Sequence, residues 1–180
     1  LPVNVIYNGI DLKAFAQSAP ADIRKVFGLN AAPVILSVGR ITREKGLENL
    51  IKASVDLKQK LIAHSVVVAG PAPDRKYIEQ LKTMVNQFEL PGWIWAGVRN
   101  DIPSLMKGAA ALALSSHREG FSRVIVEAWA SGLPVVATRQ GGPAELVTHG
   151  ENGWLVAPDD GVSDAEKLAQ NLFLAASTPA

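Results

Sequence analysis

Residues 111–137 read ALALSSHREGFSRVIVEAWASGLPVVA, and this stretch contains one complete unit of the fold. Its two ends, 111–114 and 135–137, are short apolar runs, which are typical of strands buried in a parallel sheet. The amphipathic segment 123–131 between them has the length of a helix, with a glycine turn before it and Pro134 after it. The stretch therefore predicts a strand, a loop, a helix and a second strand in succession.

The same alternation continues along the rest of the chain. Further short apolar runs predict strands at 34–38, 66–69, 94–96 and 154–156. Amphipathic segments of helical length lie at 47–61, 75–88, 102–107 and 165–174. Strands that alternate with helices predict an α/β fold, here a doubly wound parallel sheet of about six strands. Ligands of such sheets bind at the carboxyl ends of the strands.

Length and composition favour a single domain. The 180 residues are 48% hydrophobic, enough for one sizeable core, and they include no cysteine that could bind a metal or form a disulfide. We expect residues 1–180 to form one domain, in which residues 1–32 are a strand and loop that precede the core, with a short helix candidate at 23–27. Because the chain starts at Leu1 and passes at once into the extended apolar segment 3–7, we expect an upstream part to be missing.

Charge and hydropathy argue against two classes of protein. The 18 basic and 17 acidic residues give a net charge of +1 and are mixed along the chain, without the basic tract that dominates nucleic-acid affinity. We therefore expect no nucleic-acid partner. The longest apolar runs, such as 109–114, fall far short of the ~20 residues that span a bilayer, and no signal segment opens the chain. We expect the piece to be soluble.

Two glutamates bracket the predicted helix of the opening stretch. Glu119 lies just before its start and Glu127 about two turns inside it, and a side chain seven residues beyond Gly120 returns to nearly the same face. We therefore expect both carboxylates to face one cleft. Between them, the backbone N–H groups of residues 120–123 lie at a helix N-terminus, where a phosphate oxygen is held favourably. Two carboxylates and a phosphate cradle are features of a sugar-nucleotide pocket.

Four segments resemble those of a known family. Residues 119–127 resemble the E-x7-E signature of retaining, nucleotide-sugar-dependent glycosyltransferases with the GT-B fold. These are the glycogen-synthase-like and mannosyltransferase-like enzymes of glycosyltransferase family 4, or glycosyl transferases group 1. Residues 37–46 (SVGRITREKG), 141–145 (GGPAE) and 8–11 (NGID) resemble three further segments of the group, in matching order and spacing. The resemblance implies a Rossmann-like sheet that forms the C-terminal, donor-binding half of a GT-B fold.

The resemblance also implies roles for individual residues. Arg40, Lys45 and Glu119 are expected to be catalytic: the two cations stabilise the departing nucleoside diphosphate, and Glu119 contacts hydroxyls of the transferred sugar. Glu127 is expected at the ribose hydroxyls. The implied donor-binding set is Gly39, Arg40, Lys45, Arg99, Glu119, Gly120, Phe121, Ser122 and Glu127.

The residues alone leave other arrangements open for the charged members of this set, since ordinary surface pairs would explain them too. Such partners lie nearby in sequence: Glu44 or Glu48 for Arg40 and Lys45, Arg118 or Arg123 for Glu119, and Arg123 for Glu127.

Alternatives also remain open for the other candidates. Ser122 suits the N-cap of the helix as well as a ligand contact, and Phe121 suits the core. Arg99 belongs to a turn that either lies beside the nucleobase or only leads into the next helix. Glu145, after the second glycine loop, either caps a short helix or lines the cleft. His117 has no spaced partner with which to form a metal site or a triad.

The implied reaction is the transfer of a sugar, with retention of anomeric configuration, from a nucleoside diphosphate sugar to an acceptor. The donor would be linked to UDP, GDP or ADP, and the acceptor would be a glycan, a lipid-linked sugar or a small molecule. The resemblance implies that no cofactor and no metal are needed, and the chain has no Asp-x-Asp pair that could hold a metal ion. We expect an absent N-terminal domain to bind the acceptor, and the isolated chain to be inactive.

The resemblance further implies a cytoplasmic location, with peripheral contact at the inner membrane surface open for the full-length protein. Two alternatives remain: a non-catalytic nucleotide-sugar-binding module, and a phosphorylase or epimerase relative with the GT-B fold. A dehydrogenase fits less well, because the spacing of Gly39 and Gly46 does not match G-x-G-x-x-G.

Overall fold

The computed structural model describes residues 8–90, 92–157 and 164–177. This part of the chain contains six strands: β1 (Val34–Val38), β2 (Ser65–Ala69), β3 (Trp93–Gly97), β4 (Ala111–Leu114), β5 (Val135–Thr138) and β6 (Trp154–Val156). It also contains eight α-helices: α1 (Leu12–Gln17), α2 (Ile23–Phe27), α3 (Leu47–Gln59), α4 (Arg75–Gln87), α5 (Ile102–Gly108), α6 (Arg123–Ala130), α7 (Gly142–Leu146) and α8 (Asp164–Ser177). A 3-10 turn covers Arg43–Lys45 between β1 and α3.

The six strands form one parallel sheet in the order β3-β2-β1-β4-β5-β6. Leu36 in β1 lies between Val67 of β2 on one side and Leu112 of β4 on the other. The strand order reverses between β1 and β4, and the carboxyl ends of strands at such a reversal form the ligand crevice of doubly wound sheets. The predicted α/β, doubly wound parallel sheet is confirmed.

The elements predicted from apolar periodicity are present with small differences at their ends. β4 and β6 have the predicted bounds, whereas α3 ends at Gln59 and not at residue 61. Leu61 adopts φ 58°, which a right-handed helix does not allow, so the helix must end before it.

The segment that we expected as a loop before the core contains two short helices. α2 agrees with the helix candidate at 23–27, but α1 was not anticipated. Each helix begins at an aspartate whose carboxylate accepts from backbone N–H groups: Asp11 from Lys13 and Asp22 from Lys25. Phe15 of α1 and Ile23 of α2 are buried, so these helices extend the core. The predicted extended segment 3–7 lies outside the described residues.

The core lies in two layers, one on each face of the sheet. Neighbouring residues of a strand point to opposite faces, so Ile35 packs with α3, α4 and α8, while Leu36 packs with α1, α5 and α6. Leu50 and Ile125, one from each layer, are fully buried. Truncating such a side chain to alanine costs about 2–5 kcal/mol. This packing gives the loops at the carboxyl edge of the sheet a rigid base.

The helices are of ordinary length for a globular domain. α3 and α4 have 13 residues each and α8 has 14. Within the described ranges, no helix combines the length and the apolarity needed to cross a lipid bilayer.

Candidate functional site

The turn after β1 places Lys45 at the carboxyl edge of the sheet. The 3-10 turn Arg43–Lys45 ends at Gly46, which has φ 56°. A Cβ at Gly46 would lie 2.2 Å from the carbonyl oxygen of Ser115, which follows β4. Only glycine therefore allows the loops of β1 and β4 to come this close. The hydroxyl of Ser115 donates to the carbonyl of Lys45 at 3.1 Å and fastens the two loops together.

The closest contact between these loops joins two predicted site residues. Lys45 Nζ lies 2.6 Å from Glu119 Oε2, and the exposed fractions of the two side chains are 27% and 11%. A charge-assisted hydrogen bond of this length, largely out of water, is stronger than an exposed ion pair. The structure therefore pairs Lys45 with Glu119, and not with Glu44 or Glu48.

Ser116 holds Glu119 and Thr138 holds Ser116, and the sequence analysis identified neither role. The hydroxyl of Ser116 donates to Glu119 Oε2 at 3.0 Å. Thr138, the last residue of β5, donates to the carbonyl of Ser116 at 2.5 Å. Both are buried. Their only sequence signal is a small polar residue at the carboxyl end of a predicted strand, which many strands share.

The second glycine loop lies directly against the loop of Glu119. A Cβ at Gly141, where φ is 57°, would lie 1.9 Å from the carbonyl oxygen of Glu119, and a Cβ at Gly142 would lie 2.0 Å from that of Gly120. The N–H of Gly142 donates to both carbonyls, at 3.3 and 3.1 Å. Residues after three neighbouring strands, β1, β4 and β5, thus meet at one place.

The N-terminus of α6 remains open toward this place. A Cβ at Gly120 would meet nothing within 4 Å. Ser122 occupies the N-cap position, but its hydroxyl makes no capping hydrogen bond. That hydroxyl is buried and has no hydrogen-bond partner among the described residues. Phe121, beside it, is half-buried.

Glu127 makes the surface pair that the sequence left open. Arg123 Nη2 lies 3.5 Å from Glu127 Oε1, with exposed side-chain fractions of 61% and 19%. A pair of this length with one exposed partner contributes little to stability. Glu127 can therefore exchange Arg123 for another donor at small cost.

Arg40 is exposed beside a cluster of surface charges. A hydrogen bond from Thr42, a backbone hydrogen bond and the positive charges of Arg40 and Arg118 lower the pKa of Glu44, while partial desolvation opposes them. The carbonyl of Glu44 accepts from the backbone N–H of His117 at 2.8 Å. The exposed His117 thus helps to join the two loops through its backbone.

Arg99 lies apart from this group and has partners of its own. Its Nε and Nη2 donate to the two carboxylate oxygens of Asp101 at 2.9 and 2.6 Å, and its guanidinium lies 5.5 Å from the ring centroid of Phe27. The bond to Asp101 raises the pKa of Arg99, and the same contact lowers the pKa of Asp101. β3 is two strands from β1 and three from β4, so the ends of these two strands lie about 10 and 14 Å from the end of β3 across the sheet.

The shape of the site is a narrow cleft between the ends of β1 and β4. Its polar lining includes Ser37, Arg40, Lys45, Ser115 and Ser116. A roomier cavity of about 280 Å³, lined in part by His64 and Trp93, opens beside the amino ends of β2 and β3 and contains none of the predicted site residues. We place the site at the narrow cleft, because ligands of doubly wound sheets bind at the carboxyl edge.

Several curated relatives of this chain are named as glycosyltransferases. The 2-deoxystreptamine N-acetyl-D-glucosaminyltransferase of Niallia circulans is 34% identical over an alignment of 149 residues, which covers 79% of this chain and 38% of that protein. The lipopolysaccharide core biosynthesis glycosyltransferase LpsE of Rhizobium meliloti is 32% identical over 140 residues, 77% of this chain and 38% of that protein. The chain thus spans 38% of the length of each of these relatives.

Solved structures agree with the sheet and its order. Anabaena Alr3699/HepE, crystallised in complex with UDP-glucose, superposes with a TM-score of 0.85 at 32% identity, over 97% of this chain and 48% of that one. The C-terminal domain of the glycosyl transferase group 1 family protein LpcC from Francisella tularensis superposes with a TM-score of 0.71 at 29% identity, over 93% of this chain and 96% of that one. The fold is thus the Rossmann-like α/β sheet of GT-B glycosyltransferase structures.

The family model described as glycosyl transferases group 1 matches residues 21–174, which include every predicted site residue. The match agrees with the resemblance that the motifs indicated. Because this model covers most of the chain, the chain belongs to the family of glycosyl transferases group 1.

Proposed function

We propose that this chain is the C-terminal, donor-binding domain of a retaining GT-B glycosyltransferase of family 4, and that a sugar is transferred from a nucleoside diphosphate held in its cleft. The observation that carries the proposal is the 2.6 Å contact between Lys45 and Glu119, which are 74 residues apart in sequence. It puts a cation suited to a diphosphate beside a carboxylate suited to sugar hydroxyls. Both lie at the sheet edge where ligands bind.

The diphosphate is bound by the two cations and by α6. Arg40 is exposed and offers a planar fork for two phosphate oxygens, while Lys45 supplies a point charge. Gly120 allows close approach, and the first N–H groups of α6 hold the distal phosphate. These groups stabilise the negative charge that grows on the diphosphate as its bond to the anomeric carbon breaks.

The carboxylates bind the hydroxyl-bearing parts of the donor. Glu119 accepts from hydroxyls of the transferred sugar, and Glu127 accepts from the ribose hydroxyls after it releases Arg123. The weak 3.5 Å geometry of the Arg123–Glu127 pair supports this exchange. The buried hydroxyl of Ser122, for which the described residues offer no hydrogen-bond partner, is assigned a similar role at the start of α6. Arg99 and its turn are assigned to the base.

Retention follows from attack on the face that the diphosphate leaves. The acceptor oxygen forms a bond to the anomeric carbon while the bond from that carbon to the phosphate oxygen breaks. The proton of the acceptor hydroxyl passes to the departing phosphate oxygen. In this scheme neither Glu119 nor Glu127 is a nucleophile.

We propose that the reaction needs no bound metal or other cofactor. Arg40 and Lys45 supply the positive charge that a divalent ion provides in metal-dependent transferases. Across the described part of the chain, no three His, Asp or Glu side chains gather in a way that could hold an ion. Calorimetry with EDTA should give the same donor affinity as calorimetry with Mg²⁺ or Mn²⁺; an affinity that depends on either ion contradicts this proposal.

The acceptor is assigned to an N-terminal domain outside this chain. This assignment is supported by the match over 96% of the C-terminal domain of LpcC and over 48% of the longer Alr3699/HepE chain. Because the cleft between two such domains must close for transfer, the isolated chain should bind donor but not turn it over. We place the full-length protein in the cytoplasm, with any inner-membrane contact made by the acceptor domain.

The test is isothermal titration of the chain with UDP, GDP and ADP, each repeated with Glu127→Ala. UDP is the first choice, because Alr3699/HepE, at 32% identity, was crystallised with UDP-glucose. We expect one nucleotide to bind selectively and the variant to lose most of that binding. A folded wild-type chain that binds neither these three nucleotides nor the corresponding nucleotide sugars contradicts the assignment of the donor site. Loss of transfer by full-length protein carrying Glu127→Ala separates an enzyme from a binding module.

A further inference from the structure

Two donors converge on a single oxygen of Glu119. Lys45 Nζ lies 2.6 Å from Glu119 Oε2, and the hydroxyl of Ser116 donates to the same atom at 3.0 Å. In this ligand-free arrangement, Lys45 and Glu119 neutralise each other. Lys45 is therefore already paired, and a diphosphate must compete with Glu119 for the Lys45 ammonium group.

This competition affects two possible ligands differently. A carboxylate and a phosphate both only accept hydrogen bonds, so Glu119, with 11% of its side chain exposed, repels a bare diphosphate. A sugar on that diphosphate brings hydroxyl groups, which can donate to Glu119 in place of Lys45. The donor with its sugar thus satisfies both members of the pair, whereas the free nucleoside diphosphate satisfies only Lys45.

We infer that the Lys45–Glu119 pair selects the sugar-bearing donor against free nucleoside diphosphate, and that Ser116 is the residue that positions Glu119 for this. The inference rests on the proposed function, since it assumes that the diphosphate meets Lys45. Glu119 then has a second role: it weakens the binding of the nucleoside diphosphate that remains after the sugar has been transferred.

Ser116 suits a positioning role because the sheet holds it in place. It is 2% exposed, and its carbonyl accepts a 2.5 Å hydrogen bond from Thr138 at the end of β5. When Lys45 turns to the phosphate, the hydroxyl of Ser116 remains on Glu119 and keeps the carboxylate in place. Ser115 holds the backbone of Lys45, so only the lysine side chain needs to move.

The decisive variant is Glu119→Gln, which keeps the shape of the side chain and removes its charge. Without the competing carboxylate, free nucleoside diphosphate should bind about tenfold more tightly, because a hydrogen bond to a charged partner is freed. The donor with its sugar should bind about tenfold more weakly, because its hydroxyls lose a charged acceptor. If Glu119 had only a structural role, the substitution would weaken the binding of both ligands.

Ser116→Ala tests the positioning residue, with Ser65→Ala as its matched control. Ser65 is an equally buried serine, 1% exposed, beside the opposite edge of the sheet, and its hydroxyl has no partner among the described residues. Ser116→Ala should weaken the binding of the sugar-bearing donor about fivefold and leave the affinity for free nucleoside diphosphate unchanged. Ser65→Ala should change neither affinity.

In the experiment, the folded wild-type chain is titrated with UDP and UDP-glucose, with GDP and GDP-mannose, and with ADP and ADP-glucose. The nucleotide and nucleotide sugar that bind are then titrated into the three variants. Opposite shifts of the two affinities in Glu119→Gln, with a smaller loss of preference in Ser116→Ala, support the inference. If the wild-type chain binds its ligands but Glu119→Gln binds nucleoside diphosphate no more tightly than wild type does, the inference is overturned and the proposed function is not. A chain that binds none of the six ligands overturns the proposed function with it.

Discussion

The hydroxyl of Tyr77 in α4 donates a 2.8 Å hydrogen bond to Glu48 Oε2 in α3. Tyr77 is fully buried, and the guanidinium of Arg43 lies 4.8 Å from the centroid of its ring. Arg43 also donates to Gln80 at 3.0 Å. Because Arg43 belongs to the 3-10 turn that carries Lys45, these contacts tie the turn to α4.

Tyr77→Phe should therefore lower the free energy of unfolding by about 1 kcal/mol, since Glu48 loses a donor but keeps partial access to water. Urea denaturation of the two proteins measures the difference. Glu48→Gln provides the control background: there the tyrosine substitution should cost less, because the charged acceptor is already gone. Equal costs in both backgrounds would show that the charge of Glu48 adds nothing to the hydrogen bond.

The same bond predicts a dependence on alkaline pH. Burial, together with the hydrogen bond to Glu48, raises the pKa of Tyr77. Since the folded state favours the protonated phenol, this stabilisation is complete below the ordinary tyrosine pKa of about 10 and is lost as the pH rises above it. Wild type should thus lose more unfolding free energy than Tyr77→Phe between about pH 9 and pH 11.

Lys45 should matter far more for nucleotide binding than its neighbour Arg43. Lys45→Ala removes the cation that we propose for the diphosphate and should weaken nucleotide binding at least about tenfold. Arg43→Ala removes a charge of the same sign two residues away, on a side chain directed to Tyr77 and Gln80. Its effect on affinity should be several times smaller. Calorimetry at one ionic strength compares the two, and equal losses would mean that only net charge matters.

Gly141→Ala should damage the site through the backbone of Glu119. The new methyl group would lie 1.9 Å from the carbonyl oxygen of Glu119, so the loop must move. We expect a loss of about 1–3 kcal/mol in stability together with weaker nucleotide binding. Gly150→Ala is the control, because Gly150 also has positive φ, 82°, but a Cβ there meets nothing within 4 Å. That variant should lose stability from backbone strain and keep its affinity.

His64 should make the fold sensitive to mild acid. Burial lowers the pKa of His64, although its hydrogen bond to the carbonyl of Ile62 opposes the shift. The folded state thus favours the neutral ring, and this contribution is present above the ordinary histidine pKa of about 6.5 and lost as the pH falls through the lower folded value. His64→Gln should flatten the loss of thermal stability between about pH 7 and pH 5. Parallel melting curves for the two proteins would contradict the prediction.

The strands were predictable because burial on both faces leaves a continuous apolar signal in the sequence. Val34–Val38 and Ala111–Leu114 are runs of this kind, and their predicted bounds agree with the structure. α1 was not predictable in the same way. Its one buried residue, Phe15, produces no periodic pattern over six residues, and only the capping carboxylate of Asp11 indicates that a helix begins there.

The site was predictable in its residue types but not in its pairings. The proximity of Lys45 to Glu119 depends on how β1 and β4 pair across the sheet, and nearest-neighbour reasoning offered Glu44, Glu48 and Arg118 as partners. The pair of Glu127 with Arg123 was predictable, because its two members lie one turn apart on the same helix. The role of Ser116 was not predictable from the sequence, because it depends on where the folded loop places Glu119.

The 74-residue separation between Lys45 and Glu119 also bears on how the chain folds. The contact cannot form until β1 has paired with β4. Two strands, β2 and β3, and three α-helices, α3, α4 and α5, lie between them in the chain. Pairings over such a separation are the slow events in folding, because a long loop must close before any contact compensates for its lost entropy. A partly folded chain therefore has no cleft, and nucleotide added during refolding should bind only molecules that have completed the sheet.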